Sequence, residues 1–141
     1  MIRVVIDTNV VVSANLVDEG LPASILDLAA NRKILMCVSV DILAEYQEVL
    51  RRPRFKLALA RIECSMALIR DTSRLINPRR TLKVSPHEAD NRFYECAEAA
   101  KANFLITGNT KHFPESHKAT RIVTPREFID LIGSMLARTN R

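Results

Sequence analysis

Residues 1–14 read MIRVVIDTNVVVSA: β-branched residues lead into Asp7-Thr8-Asn9, and three more valines follow. Apart from Arg3, the stretch 2–6 is continuously apolar, the pattern of a strand covered on both faces. An unpaired carboxylate is costly inside such a core, so Asp7 marks the place where the strand leaves it.

The same grammar recurs along the chain. Apolar strands are expected at 34–38, at 104–107 ending on Gly108, and at 121–123. Helical spacing appears at about 22–31 (Ile25, Leu26, Ala29), at 39–50 (Leu43, Tyr46, Val49, Leu50, with Ser39 or Asp41 as cap and Pro53 as stop), and at about 57–70. Ser85-Pro86-His87-Glu88 and Thr124-Pro125-Arg126-Glu127 both read as capping boxes with Pro at the first helical position. They open a helix to about residue 101 and one carrying Phe128, Ile129, Leu131, Ile132 and Met135. Asn77-Pro78 breaks the chain, and 82–84 is expected as a short extended segment.

The resulting order, βαβααβαβα, predicts an α/β fold: a three-layer α-β-α sandwich, Rossmann-like, around a central, mostly parallel sheet with right-handed crossovers. At 141 residues, 48% hydrophobic and without linker-like or repetitive segments, the chain is expected to form one domain over 1–141. It lacks an apolar run long enough for a membrane span and a signal-peptide pattern, so no membrane partner and a cytoplasmic location are expected. Cys37, Cys64 and Cys96 are odd in number, far apart and in apolar contexts, which predicts reduced core thiols.

A net charge of +5 and a pI near 9.4 favour a polyanionic partner. The basic residues gather at Arg51-Arg52-x-Arg54-x-Lys56, at Arg79-Arg80-x-x-Lys83, and at Arg138 and Arg141. Lys111, His112, His117 and Lys118 fall in a polar loop where they can meet a phosphate backbone.

Ligands of parallel sheets bind beyond the carboxyl ends of the strands. Asp7 and Thr107-Gly108-Asn109 both fall at that rim, and Asp90 and Glu45 can reach it from their helices. Singly, Asp7 reads as a turn residue, Glu45 as a solvated helix charge and Asp90 as an acid at a helix N-terminus. Together the three carboxylates repel one another, a strain that a hard divalent cation relieves.

These residues carry a resemblance. Asp7-Thr8-Asn9-Val10 after the first strand, a helical Glu45 after Val38-Ser39, Asp90-Asn91-Arg92-Phe93, and Leu105-Ile106-Thr107-Gly108-Asn109 before Lys111-His112-Phe113 resemble the PIN-domain nucleases. Within them the chain is similar to the VapC-like toxins of bacterial and archaeal toxin–antitoxin pairs. The resemblance implies a PIN-like domain acting as a Mg²⁺- or Mn²⁺-dependent ribonuclease, with Asp7, Glu45 and Asp90 as catalytic, metal-holding acids. It further implies Asn109 as a neutral ligand where many relatives carry Asp, Thr8 and Asn9 orienting Asp7, and Thr107 supporting the rim. The implied partners are an RNA substrate, a second copy in a homodimer, and an antitoxin encoded nearby; the apolar breadth of the 57–70 helix offers a surface for either protein.

Asn109, together with His87 where relatives often carry an acid, leaves open a second reading, a catalytically weakened PIN fold that grips RNA or a partner. The Asp-x-Asp opening of haloacid-dehalogenase phosphotransferases lacks its second acid here, and the acidic pair and acceptor Asp of receiver domains are absent.

Overall fold

A computed structural model describes residues 1–114 and 116–139, and the side chains to residue 135. Arg141 and the side chain of Arg138, counted above among the basic residues, lie outside the described residues. Five strands, β1 (Arg3–Ile6), β2 (Leu35–Val38), β3 (Arg74–Leu75), β4 (Phe104–Ile106) and β5 (Arg121–Val123), form one sheet in the order β3-β2-β1-β4-β5. Every pairing is parallel, with Val4 opposite Met36 on one side and Phe104 on the other. Among the described residues six α-helices accompany it: α1 (Thr8–Leu16), α2 (Leu21–Ala30), α3 (Val40–Leu50), α4 (Leu59–Thr72), α5 (Asn91–Ala100) and α6 (Pro125–Thr139). Among the described residues no helix is long and apolar enough to cross a membrane.

The chain moves outward from β1 to β3, then returns past β1 to β4. Right-handed crossovers place the helices of these opposite movements on opposite faces. Accordingly α5 packs against β1, β2 and β4, while α1 packs against α2 and α2 against α6. The strand order reverses between β1 and β4, and a crevice opens at such a switch point beyond the carboxyl ends. Val4, Val5, Ile6, Leu105 and Ile106 fill the core beneath it, all fully buried.

Four expectations need correction. The valines after Asp7 belong to helix α1, absent from the order read above. Asp7 caps it by accepting the Thr8 N–H at 2.8 Å, and burial of Val10, Val11, Val12 and Ala14 overrides their β-preference. No strand forms at 82–84, because the Leu82 and Val84 amides donate to Glu95 Oε2 (3.0 Å) and Asn91 Oδ1 (3.0 Å); the edge strand is β3.

The Ser85 capping box does not close either. Asn91 Oδ1 takes the Ser85 N–H at 2.7 Å, and Glu88 accepts from Asn91 and Arg92 instead of turning back. A 3₁₀ turn, Glu88–Asp90, therefore precedes α5. The Thr124 box closes in both directions, with Thr124 N–H on Glu127 Oε1 and Glu127 N–H on Thr124 Oγ1, each at 3.1 Å.

Cysteines 37 and 96 are buried free thiols, but Cys64, on α4, is exposed. Burial pushes the Cys96 thiol up to about 12 and that of Cys37 upward. A thiol-specific chromogenic reagent is therefore expected to titrate one thiol in the native protein and three after denaturation; rapid reaction of two or three native thiols would contradict this packing.

Candidate active site

The site is built where β1 and β4 end side by side. Asp7 is one residue beyond β1 and its N–H donates to the Ile106 carbonyl at 2.9 Å, which ties the two strand ends together. Its Oδ1 caps α1, and its Oδ2 accepts the Thr107 hydroxyl at 2.8 Å. Thr107 Oγ1 in turn accepts the Asn109 N–H at 3.0 Å, and Asn9 Oδ1 accepts the Gly108 N–H at 3.2 Å. The two strand-end turns, DTN and TGN, thus lock onto each other.

Glu45 arrives on α3, which Ser39 caps by accepting the Ile42 N–H. The neighbouring Tyr46 is fully buried and donates its hydroxyl to the Ile6 carbonyl, fixing α3 against the end of β1. The half-buried Glu45 accepts the Thr8 hydroxyl. Thr8 therefore links the acids through its backbone to Asp7 and its side chain to Glu45.

Asp90 stands at the N-cap position of α5 and makes no side-chain cap bond, which leaves its carboxylate oxygens directed at the site. Its Oδ2 is buried and faces His112 Nδ1 at 3.2 Å, a contact that pulls the Asp90 carboxyl down. The His112 ring stacks on His87 at 4.1 Å between centroids. His117 turns elsewhere, to the edge of Tyr94 and the vicinity of Glu98, and Lys118 pairs with Glu98. Of the loop's histidines, only His112 reaches the rim acids. Arg92 is tied to Glu88 (2.9 Å) and Glu95 (2.6 Å).

Asp7, Thr8, Asn9, Glu45, Asp90, Asn109 and His112 line one cavity of about 560 Å³. Asp7 is only 7% exposed, and its carboxyl is pushed from 3.8 up to about 6, first by burial and then by Asp90 and Glu45, against the hydrogen bonds from Thr107 and Thr8. Burial likewise raises Glu45, with Asp90 and Glu48 adding to the shift and Thr8 and Arg52 opposing it. Burial raises Asp90 too, against the pull of His112 and His87.

Among the described residues no group of three His, Cys, Asp or Glu side chains is placed to hold a metal ion. The donor chemistry nevertheless fits a hard divalent cation in an open site: mutually repelling carboxylates whose charge burial disfavours suit an ion held by one or two of them that keeps several waters.

Three features of the site escaped the sequence reading. Asn91 holds the approach to Asp90, Tyr46 anchors α3, and Arg52, Arg54 and Phe55 line the cavity. Glu45, Val49 and Arg52 follow i, i+4, i+7, so the helical period itself contained a signal for Arg52.

The fold is shared with a chain in the crystal structure of VapBC2 from Rickettsia felis bound to a DNA fragment from their promoter. The TM-score is 0.59 at 17% identity, over 87% of this chain and 98% of that one. In sequence the chain is 33% identical to uncharacterized protein MJ1680 of Methanocaldococcus jannaschii, covering 92% of this chain and 90% of its relative. The PIN-domain profile matches residues 3–111, a span that holds every acid of the cavity and both strand-end turns. PIN domains are generally nucleases that use divalent metals, and it is to the PIN-domain family that this chain belongs.

Proposed function

We propose that this chain is a Mg²⁺- or Mn²⁺-dependent endoribonuclease, formed as one PIN domain over 1–141 and acting as the toxin of a toxin–antitoxin pair. The observation that carries the reading is the convergence of Asp7, Glu45 and Asp90 in one cavity at the β1/β4 switch point, where burial raises all three carboxyls. In this reading Asp7, Glu45 and Asp90 hold the ion, and Asn109 offers a neutral oxygen. The cation supplies positive charge to the phosphodiester and makes water more acidic. The chain's own part is positioning: Thr107 and the Thr8 N–H hold Asp7, the Thr8 hydroxyl holds Glu45, and Asn9 fastens the Gly108 turn.

The test is cleavage of labelled single-stranded RNA by the purified chain with Mg²⁺, with Mn²⁺ and with EDTA, beside an Asp7→Asn/Asp90→Asn double variant. Metal-dependent cutting is expected, falling at least ~10³-fold in the variant. RNA binding without cutting by the wild type would favour the grip-only reading that Asn109 keeps open, and cutting that survives in the variant would remove these acids from the chemistry.

The antitoxin proposal is supported by the fold shared with the VapBC2 assembly, and a homodimer by apolar surface around α4. Leu59 and Leu68 of α4 are exposed, as are Leu16 and Val17 at the end of α1. Such residues favour a protein partner over water.

A further inference from the structure

The cavity that holds the acids has a second wall of different chemistry. After α3 the chain turns through a 3₁₀ segment, Pro53–Phe55, entered from an extended Arg52 and closed by Lys56 in the left-handed region (φ 51°, ψ 34°). Backbone bonds from Phe55 N–H to Arg52 O (3.0 Å) and from Lys56 N–H to Pro53 O (3.1 Å) fix the turn, and Pro53 removes one of its free torsions. The turn presents Phe55, half-buried against the edge of the core, and lays the Arg54 guanidinium over its ring at 4.8 Å from the centroid. Arg52 is exposed, lines the same cavity and lowers the Glu45 carboxyl by its charge.

Acids at one end and an aromatic–arginine pair with a further arginine at the other are poorly matched to an inorganic anion or a purely apolar ligand. They match a nucleotide unit, which joins an anionic phosphate to a flat base. Bases splayed from single-stranded RNA stack on aromatic rings and on guanidinium planes, and arginines track the backbone. Building on the ribonuclease reading, we propose that the Pro53–Phe55 turn is a base platform: one nucleobase beside the scissile phosphodiester stacks on the Phe55–Arg54 pair, while Arg52 takes a flanking phosphate. A base stacked there has left its own helix, so the platform takes an unpaired nucleotide and discriminates against duplex RNA.

The test measures binding by fluorescence anisotropy in Mg²⁺ on the Asp7→Asn background, which holds RNA uncut. The probes are a labelled single-stranded oligonucleotide, the same sequence with one abasic position walked along it, and its duplex. One abasic position is expected to weaken binding about tenfold, and the duplex to bind at least about tenfold more weakly. Phe55→Leu, which keeps the apolar contact with the core and the thermal midpoint, is expected to abolish the abasic penalty without changing the salt dependence. Arg52→Gln is expected to reduce the slope of log affinity against log salt by about one. In cleavage by chains that keep Asp7, Phe55→Leu is expected to lower kcat/KM by the same factor of about ten.

If the wild type cuts RNA while Phe55→Leu and Arg52→Gln leave affinity, abasic penalty and salt slope unchanged, the platform is overturned and the nuclease reading stands. If the wild type neither binds nor cuts RNA, both fall together.

Discussion

The Asp7→Asn protein is expected to melt roughly 5–10 °C above the wild type in metal-free buffer at pH 7.5, while losing at least ~10³-fold in RNA cleavage. The stabilisation follows from the buried carboxyl. Its pKa rises from 3.8 to about 6 in the folded chain, so the native state holds this proton more tightly than the unfolded chain does. The associated stability is fully present below about pH 4 and is lost as pH climbs through about 6. Above that pH the ionised side chain carries a penalty of about 3 kcal/mol. Asn is neutral at every pH and keeps the oxygen that caps α1, so it avoids most of this penalty. Full recovery is prevented because Thr107, which donates to Oδ2 in the wild type, must instead face an amide N–H.

Two further measurements separate this cause from a general rigidification. Between about pH 4 and 6 the wild type should lose more stability than the variant, in which Glu45 and Asp90 are the remaining raised carboxyls of the site. Added Mg²⁺ or Mn²⁺ should raise the wild-type midpoint, by about 2.7 kcal/mol at a hundredfold excess over Kd, and move the variant much less. Equal midpoints and parallel pH profiles would mean that Asp7 is not the strained carboxylate its burial indicates. The destabilised acid and the proposed activity are then one property: what weakens the empty fold is the charge that the ion would bind.

That Asp7 stood out in the sequence has the same origin. A carboxylate after three apolar strand residues breaks the local pattern, and so does the TGN turn after β4. Helix α1 was invisible because it is buried on nearly all sides, so its valines show no amphipathic period. Strand β3 was invisible for the opposite reason, being two exposed residues that carry no pattern. The two Ser/Thr-Pro-x-Glu segments show the limit of a motif. Thr124 meets no competitor and its box closes, whereas Asn91 captures the Ser85 amide and shifts the helix start to itself. The proximity of His112 to Asp90 depends on how two distant loops pack, and no local spacing encodes it.

Asn91 therefore yields the other large effect. It is 1% exposed and its side chain is fully used: Oδ1 accepts from Val84 N–H (3.0 Å) and Ser85 N–H (2.7 Å), while Nδ2 donates to Ser85 O (3.2 Å) and Glu88 Oε2 (3.1 Å). Asn91→Ala removes both donors and both acceptor sites at once. Leaving two backbone amides in the interior without partners costs about 3–4 kcal/mol, at 1–3 each, which is expected to lower the thermal midpoint by roughly 10 °C or more. The damage should reach the site by a definite route. Ser85 donates its hydroxyl to the His112 carbonyl at 2.7 Å, so the segment that Asn91 holds also holds the loop bearing His112. Releasing it frees Asp90 and His112 from each other while Asp7, Glu45 and their threonine partners stay in place. Cleavage measured well below the melting range should fall at least about tenfold in kcat, and amide exchange should accelerate across 84–91 without accelerating in β1. Asn91→Asp restores the two acceptor contacts but adds a charge beside Glu88 and Asp90, and should fall between Ala and wild type. Full activity in a destabilised Asn91→Ala protein would show that α5 alone aims Asp90, and the segment 84–91 would then be a structural strap with no part in the site.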